Sequence, residues 1–438
     1  MDDRARQIVA RAEADEVHFI SLQFTDIFGT VKNVTIPEEQ LVLALEQGVN
    51  FDGSSIEGFA RIAESDMVLC PDVDTYTVLP WTAPHERTAR LICDVHDTGG
   101  QPFVGDPRHI LKRMLSQARE MGFGYNTGPE VEFFLFKMDG EPRVTPVPQD
   151  VGGYFDFSPR DLASQVRNRI ALTLQAMGIE VEATHHEVAP GQHEVDFHYA
   201  DALTSADAVV TLRYVIKAVA QSEGLYATFM PKPLFGVNGS GMHTHQSLST
   251  PDSHNAFYAP DDPYHLSRVA YSFIAGQMVH ARALAAIVAP TVNSYKRLVP
   301  GYEAPVYICW GQINRSALMR IPGYLPGLGE RSARCELRCP DPSANPYLAF
   351  AAMLAAGLDG IRRDLQPPPP VEENVYELDA LELRSHEIAS LPGSLEEALQ
   401  ELEQDPVIAE ALGEHTFRRY LDAKRLEWDE YRTRVTTW

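Results

Sequence analysis

The chain has 438 residues, 44% hydrophobic and 22% charged, a composition typical of a folded protein with two or three domains. Its 37 Lys and Arg against 61 Asp and Glu give a formal net charge of -24, which disfavours nucleic acid and anionic membranes as partners. A phosphate site in such a chain needs bound cations or a few well-placed arginines. Five scattered cysteines and a charged N-terminus without an apolar signal segment predict a cytoplasmic protein.

The first hundred residues predict a small α+β unit, which we place at residues 15–99. Alternating apolar residues indicate strands, Asp2 and Asp3 can cap a first helix, and Gly48 is a typical helix stop. The predicted elements are a helix ending near Ala14, strands at 16–24 and 30–36, a helix from Pro37 to Gly48, and extended pieces at 76–81 and 89–95.

A single large domain is predicted from residue 106 to residue 438. Its strands come in consecutive pairs without a helix after each one, which favours a mainly antiparallel sheet backed by helices over a doubly wound nucleotide fold. An apolar run at 347–358 is too short to span a membrane and predicts a buried helix. Helix signals lie at 107–121, 161–178, 204–223 and 264–288, and strand signals at 129–138, 179–188, 193–199, 226–233 and 240–248.

Acidic residues occur on the same faces of several predicted strands. Glu130 and Glu132 are two residues apart, so their side chains share one face. Two carboxylates there repel each other and are costly to bury unless a cation binds them. A solvated edge strand is the alternative explanation for this pair taken alone.

Two further segments bring more ligands of the same kind. Glu187 and Glu194 lie on a predicted hairpin that turns at 189–191, and His243 and His245 fall on one face of another predicted strand. Carboxylates with one or two imidazoles suit Mg²⁺ or Mn²⁺ better than zinc, which prefers more His or Cys. Three such strands in one sheet favour a divalent-metal site.

Glycines and arginines complete the candidate site. Gly239 and Gly241 let backbone N–H groups approach a ligand, although their spacing also fits a flexible turn. Guanidinium groups pair bidentately with phosphate and carboxylate oxygens. A structural ion-pair ladder would explain one or two of the arginines, but all of them together with the carboxylates suit phosphoryl transfer. The arginines are Arg297, Arg315, Arg320, Arg334 and Arg338, with Glu336 alternating between the last two.

Long stretches of the sequence resemble the signature segments of bacterial type I glutamine synthetases. The resemblance runs from about residue 15 onward, in the order found in that family. It is carried by FDGSSIEGF (51–59), GPEVEFFLF (128–136), HHEVAPGQHEVDF (185–197), MPKPLFGVNGSGMH (230–243), NSYKRLVPGYEAP (293–305), NRSALMRIP (314–322) and CELRCPDPSANPYLAF (335–350).

The resemblance implies ATP-dependent ligation of ammonium to the γ-carboxylate of L-glutamate through γ-glutamyl phosphate. It implies two or more Mg²⁺ or Mn²⁺ ions per subunit and ATP as co-substrate. It also implies an N-terminal β-grasp domain that serves the catalytic domain of the next subunit. The expected assembly is a homododecamer of two stacked hexamers, with active sites between subunits.

The resemblance further assigns roles to individual residues. Catalytic roles fall to Asp52, Glu303 and Arg315. One metal is assigned to Glu132, Glu187 and Glu194, and the other to Glu130, His243 and Glu336. Substrate binding is assigned to Ser55, Tyr154, Asn238, Gly239, Gly241, Arg297 and Arg338, and nucleotide binding to Glu182, Phe197, His245, Ser247, Arg320 and Arg334.

Some features depart from the family pattern or bear on subtype. The loop 323–332 is a few residues longer than usual, and the C-terminal strap is short, which weakens the expectation of paired rings. The surroundings of Tyr376 predict the shorter, non-adenylylated subtype, and Arg61 matches a position used there in feedback inhibition by glutamine. A γ-glutamyl ligase acting on a polyamine or another amine is the alternative, and a non-enzymatic relative is a third. The ammonium-pocket residues favour the first function, and no metal ligand is missing.

Overall fold

The computed structural model describes residues 3–58, 66–138, 146–325, 327–377, 383 and 388–436, so Arg61 lies outside the described residues. The N-terminal unit is one twisted sheet beside two helices, in the strand order β2-β1-β6-β4-β3, with β5 paired to β6. Its elements are α1 (Asp3–Ala14), β1 (Phe19–Thr25), β2 (Val31–Pro37), α2 (Leu41–Gln47), β3 (Val49–Asp52), β4 (Asp66–Pro71), β5 (Thr77–Val78) and β6 (Thr88–Asp97).

Local sequence signals account for most of this unit. Ile20 and Leu22 of β1 are fully buried with Leu91 of β6, and β1 and β6 run parallel. Gly48 ends α2 with φ of 73°, as its sequence position predicts. The extended piece predicted at 76–81 is a strand over only two residues, because Pro80 has no N–H for continued pairing.

The large domain contains the longer sheet and most of the helices. Its first elements are α3 (Pro107–Glu120), β7 (Gly124–Lys137), α4 (Ser164–Ala176), β8 (Val181–His186), β9 (Gln192–Phe197), β10 (Ala200–Asp201), α5 (Ala202–Ser222), β11 (Leu225–Thr228) and β12 (Thr244–Ser249). The remainder are α6 (Arg268–Val279), α7 (Ala281–Val288), α8 (Ser294–Arg297), β13 (Tyr307–Gly311), β14 (Ala317–Arg320), α9 (Gly329–Ser332), β15 (Cys335–Leu337), α10 (Pro346–Arg362), α11 (Leu395–Gln404), α12 (Pro406–Leu412) and α13 (Glu414–Thr433).

The sheet of the large domain is mainly antiparallel, as predicted, and the fold class is α+β. Its strand order is β13-β14-β15-β12-β7-β9-β8, with β10 and β11 also paired to β7. Within the described part of this sheet, β13 and β14 are the one pair that runs parallel. The central strand β7 contacts the most neighbours, so it is the element that organises the domain.

Strand β7 separates a hydrophobic core from a polar face. Val131, Phe133 and Leu135 are fully buried in the main core, while Glu130 and Glu132 alternate with them. This period of two places both carboxylates on the side away from the core, as the sequence predicts.

Helices cover the core side of the sheet. The apolar run at 347–358 is the buried centre of α10, and no described helix is long and apolar enough to cross a membrane. The helix predicted at 264–288 is instead two helices, α6 and α7, which meet at His280. All five cysteines are free.

A buried ion-pair hub joins the two domains. The guanidinium of Arg108, at the start of α3, is 2.8 Å from Asp72 and 2.7 Å from Asp94, both in the N-terminal unit. It also lies 2.9 Å from Asp207 of α5. Removing this cation would leave carboxylates from both domains without their shared partner, so the loss of Arg108 would be destabilising.

Candidate active site

One cavity of about 410 Å³ brings together most of the residues singled out in the sequence. It lies at the polar face of the large sheet, over β7 and β9. The predicted residues along its wall are Glu130, Glu132, Tyr154, Glu187, Glu194, Asn238, Gly239, His243, Arg297, Glu303, Arg315, Arg320, Glu336 and Arg338. Gly241 adjoins them, since a Cβ there would lie 3.0 Å from His243 Nε2.

The set Glu132, Glu187 and Glu194 is strongly acidic. Glu132 and Glu194 face each other directly across β7 and β9, and each is 6% exposed. Burial and the neighbouring carboxylates raise the pKa of both well above the ordinary value. Burial, with Glu303 and Glu130 nearby, raises the pKa of Glu187 to about 7. Such a set is electrostatically unfavourable by itself and suits a bound cation.

The set Glu130, His243 and Glu336 offers ligand atoms that all lie within 4.8 Å of one another. Glu130 accepts hydrogen bonds from His243 Nδ1 at 3.3 Å and from His245 Nε2 at 2.7 Å. These two bonds outweigh burial and hold the pKa of Glu130 well below its ordinary value. Nδ1 is the nitrogen of His243 that approaches both carboxylates, 3.3 Å from Glu130 and 3.9 Å from Glu336, so it is the atom that would bind a cation in this set in place of its hydrogen bond to Glu130.

Glu336 and the arginines form the positive part of the wall. Arg338 lies 2.7 Å and Arg320 2.9 Å from the carboxylate of Glu336, which is almost fully buried. Although burial opposes it, the charge of Arg338 lowers the pKa of Glu336. Arg297 is held by the backbone carbonyls of residues 338–340, so part of its donor capacity serves the fold.

A second, larger cavity of about 830 Å³ adjoins the first and shares Glu130 with it. Arg334 Nε donates to His245 Nδ1 at 3.2 Å, which leaves His245 Nε2–H to donate to Glu130. Arg320, assigned to the nucleotide side by resemblance, lines only the smaller cavity. The predicted nucleotide residues along the larger cavity are Glu182, Phe197, His245, Ser247 and Arg334. Gly323, Tyr324 and Glu330 of the longer loop 323–332 line the same cavity.

Tyr154 and Glu303 lie at the wall of the smaller cavity. The ring of Tyr154 is half exposed and stacks on Phe155 at 4.0 Å between centroids. Glu303 has a positive φ of 57° and accepts a hydrogen bond from Asn238 at 3.3 Å. Tyr376, near the adenylylation position of relatives, donates its hydroxyl to the carbonyl of Ala304, the residue after Glu303.

Asp52 and Ser55 line neither cavity of the described chain, and unlike Gly241 they belong to the N-terminal unit. Both are exposed, at the end of β3 in the N-terminal unit. The hydrogen bond from Ser54 lowers the pKa of Asp52, which is therefore ionised at neutral pH.

Three residues of the site were not assigned by the sequence analysis. Asp196 faces Glu130 across the sheet and, with His185, forms a further potential ligand group around Glu194. Gln192 donates to Glu132 at 2.7 Å. Asp196 could have been found, because it follows Glu194 by two residues on the same strand face.

An α+β fold with paired carboxylate-rich sets, arginines and an adjoining large cavity defines a class of protein, the metal-dependent enzymes of phosphoryl transfer. The sequence matches two family models, described as glutamine synthetase, beta-Grasp domain, at residues 16–98 and glutamine synthetase, catalytic domain, at residues 104–438. The chain belongs to the glutamine synthetase family, as the resemblance predicted, and its activity is ATP-dependent glutamine synthesis.

Individual relatives support this membership over the full length. A glutamine synthetase of Halobacterium salinarum is 53% identical, covering 100% of this chain and 96% of that protein. One of Thermus thermophilus is also 53% identical, covering 99% and 97%. The cryo-EM structure of Plasmodium falciparum glutamine synthetase superposes with a TM-score of 0.89 at 27% identity, covering 100% and 98%. A GmaS–ADP complex superposes with a TM-score of 0.89 at 35% identity, covering 98% and 97%.

Proposed function

We propose that the chain ligates ammonium to L-glutamate through γ-glutamyl phosphate, with Mg²⁺ or Mn²⁺ held by the two ligand sets of the smaller cavity. The observation that carries this proposal is the juxtaposition of both sets with several arginines on one wall. An acidic protein can hold a triphosphate and a dicarboxylate only where cations and guanidinium groups reverse the local field. The smaller cavity combines these requirements.

The residues present fit two divalent cations. Glu132, Glu187 and Glu194 would hold one, and Glu130, His243 and Glu336 the other. The donor set is mostly carboxylate oxygen, which suits Mg²⁺ or Mn²⁺. When bound, the cations would offset the negative charge of phosphate oxygens.

The arginines would bind the anionic partners of the reaction. We assign Arg315 and Arg338 to the phosphoryl group and the glutamate carboxylates, and Arg297 to the same side as a partly structural residue. Arg315 is exposed at the wall, so its fork is accessible to a ligand. Guanidinium donors positioned there stabilise the charge of the transferring group.

The larger cavity would hold the nucleotide. This assignment is supported by its volume of about 830 Å³ and by Glu130, which lines both this cavity and the smaller one. Phe197 and Ser247 line this cavity, with Arg334 as its cation near Glu130. The longer loop 323–332 borders the same space, so we expect it to tune nucleotide contacts.

Ammonium, rather than a larger amine, is supported by the presence of all four residues that the family resemblance assigns to its pocket, of which Tyr154 and Glu303 line the smaller cavity. Ammonium must bind as a cation and lose a proton before it attacks the acyl phosphate. We assign Glu303 to cover this position and an Asp52 carboxylate from a neighbouring subunit to bind and deprotonate ammonium. Tyr154 and Ser55 would complete the pocket.

Phosphate release with ATP, glutamate and Mg²⁺ tests the amine assignment when ammonium and putrescine are supplied in turn. We expect activity with ammonium and none with putrescine, and the opposite result would establish the alternative ligase. Glu303→Ala should preserve nucleotide binding but reduce the glutamine formed per phosphate released. The exposed Glu373→Ala is the matched control and should keep the wild-type ratio.

We also propose a homododecamer with sites shared between subunits. A chain of 48.7 kDa predicts an assembly of about 580 kDa for two paired hexamers and about 290 kDa for one ring. Light scattering distinguishes the two.

If Asp52 acts in the neighbouring site, reassembling Asp52→Ala with Glu303→Ala subunits should restore about one quarter of wild-type sites. A mixture as inactive as either variant would contradict the shared site.

A further inference from the structure

A buried polar pair lies behind the β8–β9 hairpin, outside the residues that line the two cavities. The side chains of Asp150 and His186 are both 0% exposed, and His186 Nε2 donates to Asp150 Oδ1 at 2.9 Å. The other ring nitrogen, Nδ1, donates to the backbone carbonyl of Glu187 at 2.6 Å. The imidazole therefore connects a buried carboxylate to the backbone of a residue in the acidic set.

Asp150 also holds two other backbone segments. Its Oδ1 accepts from Gly191 N at 3.0 Å, in the turn of the hairpin, and its Oδ2 accepts from Leu162 N at 3.1 Å. The carbonyl of His186 accepts from Phe155 N at 3.0 Å. The pair thus ties the hairpin that carries Glu187 to the loop 150–162 that carries Tyr154.

The close packing of Asp150 and His186 requires a glycine at position 152. A Cβ at Gly152 would lie 2.6 Å from His186 Nε2, well inside van der Waals contact. Any side chain at this position would push the ring away from Asp150. The sequence Asp150-Val151-Gly152 therefore supplies both the acceptor and the space that the imidazole needs.

A buried metal site is the other chemistry these residues could offer, because Asp150, His186 and His193 have ligand atoms within 4.8 Å of one another. The hydrogen bonds argue against it. Arg167 Nη1 lies 3.0 Å from His193 Nδ1 and can only donate, so His193 carries its proton on Nε2. That nitrogen has no lone pair for a metal, and His186 Nε2 is already paired.

We propose that Asp150 and His186 are positioning residues that set the place of Glu187 in the cation site and of Tyr154 beside it. The proposal rests on the proposed function, since it takes Glu187 to be a cation ligand. A ligand residue whose backbone is fixed at its carbonyl and at the adjacent turn loses little conformational freedom when its carboxylate binds a cation. Hydrogen-bonded supports of this kind alter metal affinity without contacting the metal.

Mn²⁺ affinity, measured by electron paramagnetic resonance titration of the intact assembly, tests this role. We expect Asp150→Asn and His186→Gln to weaken Mn²⁺ binding by about 10- to 100-fold. Gly152→Ala retains all the polar groups and should give a similar loss by displacing the ring, so it decides the matter if the other variants do not fold. His280→Gln is the matched control, a buried histidine between two carboxylates at a remote helix junction.

Comparison with Glu187→Gln separates this proposal from the function on which it rests. If Glu187→Gln binds Mn²⁺ weakly while the Asp150, His186 and Gly152 variants bind it as wild type does, the positioning role is wrong and the ligand assignment stands. If Glu187→Gln binds Mn²⁺ normally, the ligand assignment fails and so does the positioning of Glu187. An equal loss in His280→Gln would show that general destabilisation causes the effect, which also overturns the proposal.

Discussion

Glu187 should make the metal-free protein less stable as pH rises. Burial, with the carboxylates of Glu303 and Glu130 nearby, raises its pKa in the folded state to about 7, whereas a carboxyl in the unfolded chain ionises near its ordinary value of 4.5. Between these two values the folded state binds more protons than the unfolded state. Stability therefore falls as pH rises from about 4.5 to about 7, and stays low above that.

Glu187→Gln isolates this contribution, because a neutral amide cannot ionise. A difference of about 2.5 between the two pKa values corresponds to about 3 kcal/mol in the free energy of unfolding. The side chain is 13% exposed, so partial solvation reduces this to about 2 kcal/mol. The hydrogen bond from Val188 N to the carboxylate at 3.0 Å can be kept by the amide oxygen.

The assay is urea unfolding in a chelator at several pH values from about 4.5 to about 8. We expect wild type and Glu187→Gln to be equally stable at the acid end, and the variant to be more stable by about 2 kcal/mol above pH 7. Saturating Mg²⁺ should reverse the order, because the variant has lost a ligand. A difference that stays constant with pH, or that favours wild type in the chelator, would refute the electrostatic account. The exposed Glu373→Gln should show no such trend.

Three further predictions concern the scaffold. His280 lies 2.6 Å from Asp405 and 3.0 Å from Asp359, and these contacts raise its pKa although burial opposes the shift. In urea unfolding, wild type should therefore be more stable than His280→Gln by the full amount below about pH 6.5, and this difference should decline at higher pH. Arg108→Met removes the buried cation shared by three aspartates and leaves Lys112 beside Asp72 and Asp94. It should cost about 3 kcal/mol in the same assay, and a loss below about 1 kcal/mol would contradict the buried hub. A methyl group at Gly276 would lie 2.2 Å from a carbonyl of α10, so Gly276→Ala should cost about 1–3 kcal/mol, and an unchanged melting temperature would show that the two helices separate easily.

The parts of the site that could be predicted are those encoded by short stretches of the sequence. Glu130 and Glu132 alternate with buried apolar residues, so their common face follows from the period of a strand. The hairpin at 189–191 follows from its Pro-Gly turn, and Gly191 has the expected positive φ of 69°. These features depend on neighbours in the sequence, which is why one chain was enough to predict them.

The remaining features depend on pairing between distant segments. His243 was predicted within a strand but precedes β12, and it is placed by the bond from Glu130 N to its carbonyl at 2.9 Å. The break of the predicted helix at His280 coincides with contacts to carboxylates from α10 and the start of α12. Nothing within the window 264–288 encodes those partners, so the sequence pattern alone reads as one helix.

The register between β7 and β9 explains how the fold tolerates its own acidic site. It places Glu132 opposite Glu194 and Glu130 opposite Asp196, two like-charge pairs that oppose strand association. The same register pairs the fully buried Val131 with Val195, and burial of such side chains contributes about 1.5–3 kcal/mol each.

A slip of β9 by one residue would separate these like-charge pairs only by turning Glu194 and Asp196 into the core and exposing Val195, because successive side chains point to opposite faces. The hydrophobic alternation of two strands therefore imposes the charge repulsion of the active site. A divalent cation bound there would relieve that repulsion without any change of register, so the proposed cation binding would stabilise this sheet.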